Sequence, residues 1–193
     1  MTFASLNQKK KKKRAASNKM LTHIKKWSYK KKLHDRKPNV RQEDNGHYNM
    51  GKKIGILYEI ENLDDHTTIH EFKQKLKGQG RIVKTLSYID QKLDVANLSQ
   101  KTFSRKEISW DGTPQSTYVE EFLDWDADIL ICPIKSMRDC YSYIIQLSSA
   151  RMKVGLNCQE AEHLYDLIVD MPYIRNLDKI LNEILNQLKT VSH

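Results

Sequence analysis

Lys25, Lys26, Lys30, Lys31, Lys32, Arg36 and Lys37 crowd into one short segment, with Trp27 and Tyr29 set among them. Upstream, Lys9, Lys10, Lys11, Lys12, Lys13 and Arg14 form a second basic run. Side chains of this kind are phosphate partners, and flat rings between them offer stacking surfaces for bases. Binding through them would rest on counterion release and fall steeply with salt. The pattern points to RNA, with the ribosome as the candidate partner. Two other readings fit the same residues. A basic amphipathic helix suits an anionic membrane surface. Alternatively, Ile24 and Trp27 dock on the rest of the chain while the lysines face water.

A second group is defined by where strands should end. In open parallel sheets, ligands bind at the carboxyl ends of strands. That rim would carry Glu59, Glu61, Asp90, Lys135, Ser136, Arg138 and Asp170, a mixed set able to hold a small polar ligand or to serve as ordinary loop residues and helix caps. The acidic stretch Asp124 to Asp128 precedes its strand, at the wrong end for catalysis, and reads as a solvated turn.

Most familiar chemistries lack their residues. The first strand-to-helix loop, EIENLDDHTT, has no glycine and is acidic: Glu59, Glu61, Asp64, Asp65 and, just beyond, Glu71. A dinucleotide or Walker-type phosphate site needs glycines there, so that backbone amides can approach the phosphates. His66 and His70 have i, i+4 spacing, which can place two imidazoles on one metal. His66 is expected to precede the helix, however, and no third ligand is evident, so no metal site is assigned. Cys132, Cys140 and Cys158 include no C-x-x-C pair, and the first two read as small buried hydrophobes. No nucleophile elbow or triad spacing occurs. No cofactor is implied, and a non-enzymatic role is favoured.

The elements that would position these groups follow from periodicity. Lys19 to Lys37 reads as a basic helix with Met20, Ile24 and Trp27 at helical spacing, ended by Pro38. Residues 1–18 are low-complexity and expected to be disordered when free. Residues 38–50 read as a polar linker containing Asn45-Gly46. The domain, 51–193, then alternates strand and helix. KIGILYEI, RIVKTLSYI, DILICPI, MKVGL and YDLIVDM read as strands, with TFSRKEISW a weaker candidate. Helices are expected from about Thr68, with a Thr68-x-x-Glu71 capping box, and from Thr113-Pro114. Two more are expected from about Asp139 and along the Leu177 to Leu188 stripe. Alternation of this kind predicts a three-layer α/β, Rossmann-like fold, its mostly parallel sheet of five or six strands preceded by the basic helix.

Charge divides the chain in the same way. Of 193 residues, 33 are Lys or Arg and 24 Asp or Glu, a net +9. Residues 1–50 hold 15 bases against three acids, leaving 18 bases and 21 acids for the rest. The basic arm is thus attached to a mildly acidic domain, whose natural partner would be protein. The run QKKKKKRAASNK also reads as upstream sequence translated from a misplaced start, with Met20 the natural one. The net charge would then be +2. The odd, scattered cysteines and the lack of a signal peptide or long apolar run fit a cytoplasmic protein.

The pattern M-L-T-x-I-K-K, K-x-I-G-I-L-Y-E-I, D-I-L-I-C, S-S-A-R-M-K-V-G and Y-D-L-I-V-D, running from Met20 to the C-terminus, resembles an uncharacterised family of small Bacteroidota proteins. That family carries a domain-of-unknown-function label, so the resemblance implies no activity; it supports Met20 as the start. Within it, DADILICPIKSMRDCYSYIIQLSSARMKVG resembles the N-terminal half of heptosyltransferase-type glycosyltransferases. This local resemblance implies a Rossmann-like half-fold, but not the second, nucleotide-sugar-binding domain of those enzymes.

Overall fold

A computed structural model describes residues 3–36, 51–90, 101–159, 161–171 and 176–191, with side chains from Asn18 onward. Lys37, the expected linker 38–50 and the connection 91–100 lie outside the described residues.

Helix α1 spans Phe3–Asp35. Strand β1 (Lys53–Glu59) leads to α2 (Leu63–Gly78) and β2 (Ile82–Ile89). β3 (Thr102–Ser104) is followed by a 3₁₀ turn, α3 (Thr117–Leu123) and β4 (Ile129–Cys132). α4 (Asp139–Leu147), β5 (Met152–Leu156), a second 3₁₀ turn, β6 (Leu167–Val169) and α5 (Leu177–Val191) complete the chain. The six strands form one sheet, every pairing parallel, in the order β3-β2-β1-β4-β5-β6. This is the doubly wound Rossmann-like arrangement, with the strand order reversing between β1 and β4.

The strands read as unbroken apolar runs because both faces are covered. Along β1, Ile54, Ile56 and Tyr58 point to one side with Ile69, Phe72 and Leu76 of α2 and Ile180, Ile184 and Leu188 of α5. Leu57 faces the other side, among Val119 and Phe122 of α3 and Tyr141, Ile144 and Ile145 of α4. Each fully buried side chain of this size contributes roughly 1.5–3 kcal/mol. Tyr29 and Leu33 of α1 pack onto the second cluster, so α1 lies outside α3 and α4 as a further layer on that face.

Several local boundaries differ from the sequence reading. α2 starts five residues before Thr68, because Asn62 and Asp65 form the capping box. Asp65 N–H donates to Asn62 Oδ1 (3.0 Å), and Asp65 Oδ2 accepts from Asn62 N–H (3.0 Å). His66 and His70 therefore both lie on the helix. α3 starts at Thr117, not at Thr113-Pro114, since the Thr113 hydroxyl is taken by Asp111 at 2.7 Å and Pro114 bridges back to Ile108. α1 is helical from Phe3, ahead of the expected Lys19, consistent with the good helix propensity of its Lys, Gln and Ala residues. The TFSRKEISW candidate keeps three strand residues before turning. Asp128 is not part of a solvated turn: its mostly buried carboxylate accepts the Lys53 N–H at 2.8 Å and binds Arg151 at 2.9 Å, joining the starts of β1, β4 and β5.

Candidate functional site

The two sequence-derived groups occupy distinct places, and one face of α1 reaches from the first toward the second. Lys25 Nζ lies 2.7 Å from Asp139 Oδ2, at the start of α4. Ser28 Oγ donates to Asp111 Oδ2 (2.7 Å), and Lys32 Nζ lies 2.8 Å from the same oxygen. Lys32 also donates to Thr113 Oγ1 at 3.0 Å. The Tyr29 ring meets Tyr143 edge-on at 5.9 Å, and its hydroxyl donates to the Asp139 carbonyl at 3.3 Å. Arg36 pairs with Glu120 and, at 3.4 Å, with Asp124.

Lys25, Ser28, Tyr29, Lys32 and Arg36 follow helical spacing and define the docked face. The docking scheme expected from the sequence is therefore inverted. In the docking alternative Ile24 and Trp27 were the anchors, yet they are 42% and 65% exposed; Lys25, Ser28, Lys32 and Arg36 anchor the helix instead, with Tyr29 and Leu33 packed on the domain. Lys26, Trp27, Lys30 and Lys31 occupy the opposite, outward face, and Lys31 Nζ sits 5.5 Å from the centre of the Trp27 ring. Among the described residues, none of these three lysines forms an ion pair. Lys9 to Arg14 belong to the same helix, but their side chains lie outside the description.

Asp111 explains the firmness of the clamp. It sits on a turn in which Gly112 N–H donates to the Ser109 carbonyl, and its carboxylate is fully buried. Burial alone would raise its pKa. Hydrogen bonds from Lys32, Ser28 and Thr113 outweigh that and hold it well below the usual carboxylate range. Gly112 has φ +93°, and a Cβ there would fall 2.6 Å from Asp139 Cβ, so the turn requires glycine.

At the rim, Arg138 from the β4–α4 loop bridges Glu59 (3.1 Å), at the end of β1, and Asp90 (3.2 Å), just past β2. Its guanidinium lies over the Tyr88 ring at 5.4 Å, and the Tyr88 hydroxyl donates to Asp90 at 3.2 Å. Lys135 pairs with Glu61 at 3.0 Å. Five of the seven rim residues thus converge where the strand order reverses. Ser136 is exposed on the same loop. Asp170 is apart, hydrogen-bonded to Asn157 (3.5 Å) beyond edge strand β6.

Between this rim and α1 lies a cleft of about 310 Å³, lined by Lys25, Tyr88, Arg105, Trp110, Arg138 and Asp139 among others. The sequence reading missed Arg105, Trp110 and Asp111. The Asp111-Gly112 pair was the available signal, since it marks a turn able to present its neighbours.

The buried thiols are poorly suited to nucleophilic chemistry. Burial pushes the Cys140 thiol up to about 12 and raises Cys132 further. No group of three or more potential metal ligands occurs among the described residues. No helix among them is long and apolar enough to cross a membrane.

Fold and site together define a small Rossmann-like α/β domain carrying a clamped basic helix. Residues 22–191 match the family of unknown function DUF6913, and the chain belongs to that family. No curated protein matches it significantly. Among solved structures, it is similar to an exopolyphosphatase-related protein from Bacteroides fragilis, with 14% identity and a TM-score of 0.47. The match covers 71% of this chain and 40% of that one.

Proposed function

We propose that the protein is a non-enzymatic RNA-binding protein of the cytoplasm, acting on ribosomes through the outward face of α1. One observation carries the reading: the docked face of α1 uses Lys25, Lys32 and Arg36 for the domain, while Lys26, Lys30 and Lys31 stand together outside with Trp27. A basic face of this kind meets phosphates at little ordering cost, because the helix is already held. Lys9 to Arg14 extend the same helix by several turns. The mildly acidic domain is left to meet protein.

The test is co-sedimentation of the full chain with ribosomes at low and high salt. We expect co-migration at low salt that is lost at high salt, and lost at low salt in the triple variant Lys26→Ala, Lys30→Ala, Lys31→Ala. A chain that stays in the supernatant under both conditions overturns the reading.

A second reading has its own observation. The convergence of Glu59, Asp90, Lys135 and Arg138 at the reversal of strand order suits a small polar ligand or an enzymatic role. Thermal-shift screening of small polar compounds, with Glu59→Ala as control, tests it.

A further inference from the structure

We infer that the cleft between α1 and the rim receives a single nucleotide unit, its base stacked on Trp110 and its phosphate at Arg105. The inference deepens the RNA reading and rests on it for the source of the nucleotide.

Trp110 stands at the tip of the Ser109–Gly112 turn and is 63% exposed, although the following residue, Asp111, is fully buried. That turn is fixed on three sides: by the Gly112 N–H, by the Ser109 N–H donating to the Thr113 carbonyl (2.9 Å), and by the grip of Asp111 on α1. The indole is therefore a large apolar plate presented to solvent from a fixed backbone, beside a cavity. A base offers a π-face to such a plate whatever its identity.

Arg105 lines the same cavity, is exposed, and has no ion-pair partner among the described residues. The other cations differ. Arg138 is already bridged by Glu59 and Asp90, and Lys25 by Asp139. A ligand carrying several charges would be poorly matched here. One phosphate on Arg105 and one neutral ring on Trp110 fit the charge that remains. Of these pairs, only Lys25–Asp139 is well exposed on both sides, so it can open toward sugar or phosphate. Because Lys25 neighbours Lys26 on α1, a strand could run from the outward face into the cleft. Duplex RNA, with its bases stacked inside, could use the face but not the cleft.

The test uses the full chain and three probes at low salt: a labelled ten-nucleotide single-stranded RNA, a duplex of the same length, and free AMP followed by tryptophan fluorescence. Trp110→Ala is compared with Tyr118→Ala, an exposed aromatic on α3. Trp110→Ala should weaken single-strand binding roughly ten-fold or more, leave duplex binding unchanged and keep the melting temperature. Tyr118→Ala should change neither. AMP quenching that disappears in Trp110→Ala supports the cleft with a free nucleotide as its source, even if no RNA binds. If wild type binds neither RNA, the RNA reading of α1 fails, and the AMP result alone decides the cleft. Unchanged single-strand binding in Trp110→Ala, with no AMP quenching of the wild type, overturns the inference.

Discussion

Lys32 Nζ sits 2.8 Å from Asp111 Oδ2, an exposed-helix lysine bound to a carboxylate with no solvent exposure at all. The pair turns part of a basic helix into structure, and decides which of its lysines remain available to a partner. Asp111 also accepts from Ser28 (2.7 Å) and from the Thr113 hydroxyl (2.7 Å) and N–H (3.2 Å). A buried carboxylate satisfied this fully is costly to alter, because each donor left behind loses its partner.

Asp111→Asn should therefore loosen α1 while sparing the sheet. The neutral amide cannot compensate Lys32, but Lys32 is part-exposed and can turn toward water, which limits the penalty to about 2 kcal/mol. Hydrogen exchange of residues 25–36 should speed up on that scale, with β1 and β4 unaffected. Equal acceleration in both regions would mean that α1 and the sheet form one cooperative unit.

The pH dependence of this clamp has a definite sign. Folding lowers the Asp111 pKa, so the carboxylate stabilises the docked state above its unfolded value of about 4. That contribution begins to fall as pH drops below the unfolded value and is gone once pH passes below the depressed one. Protection of residues 25–36, corrected for intrinsic exchange, should stay level from pH 8 to about 4.5 and decline in stronger acid. A midpoint above about pH 5 would show that another group holds the helix.

The lysines of α1 should separate into two classes. Each of Lys26→Ala, Lys30→Ala and Lys31→Ala should reduce the slope of log K against log salt by about 0.7 for single-stranded RNA, without changing the melting temperature. Lys32→Ala should lower stability instead, since its charge is committed to Asp111. Binding that needs anionic vesicles and ignores RNA, with Trp27→Ala abolishing it, would favour the membrane reading of the same face.

The sheet was legible because its strands are buried on both faces, so KIGILYEI and DILIC read as strands without any partner in view. Helix starts were less so. Asn62…Asp65 and Thr68…Glu71 are both capping-box patterns, and only the packing of Ile69, Phe72 and Leu76 against the sheet shows how far α2 extends. The docking of α1 was hidden for a different reason. Met20, Leu21, Ile24 and Trp27 of this helix face solvent, and its polar anchors find partners far along the chain, as Lys25 does 114 residues on at Asp139. Periodicity reports a buried apolar stripe, and it has no means of finding an interface held largely by ion pairs and hydrogen bonds, with Tyr29 and Leu33 as its apolar contacts. The rim was the intermediate case: strand ends located Glu59, Asp90 and Arg138, but their mutual bridge depends on side-chain reach across three strands.

Close approach, rather than turn geometry, fixes Gly155 in β5. A Cβ there would lie 2.1 Å from the ring of Tyr165, which is itself buried. Gly155→Ala should cost about 1–3 kcal/mol through overpacking, read as a lower urea midpoint. The double variant with Tyr165→Leu should recover part of that loss, since the two sites share one contact. If the pair is simply additive, Tyr165 is not the obstacle.

Arg138 gives the sharpest test of whether the rim is structural or a site. Arg138→Ala leaves Glu59 and Asp90 side by side with no cation between them. Because Arg138 is 41% exposed, the cost should be modest, about 1 kcal/mol, or roughly 2–4 °C in melting temperature. Glu59→Gln should cost less, since Arg138 keeps Asp90. Deleting residues 1–50 cannot serve as a neutral control here, because it strips Lys32 and Ser28 from buried Asp111 and uncovers the surface under Tyr29 and Leu33. Lys26→Ala with Lys30→Ala is the better one, as it silences the outward face and leaves the clamp intact. A rim that serves only as a brace loses this stability in Arg138→Ala and shows no ligand-induced thermal shift in either background. A rim that is a site keeps its ligand shift in the lysine variant and loses it in Arg138→Ala, and that pattern would transfer the function from the helix to the sheet.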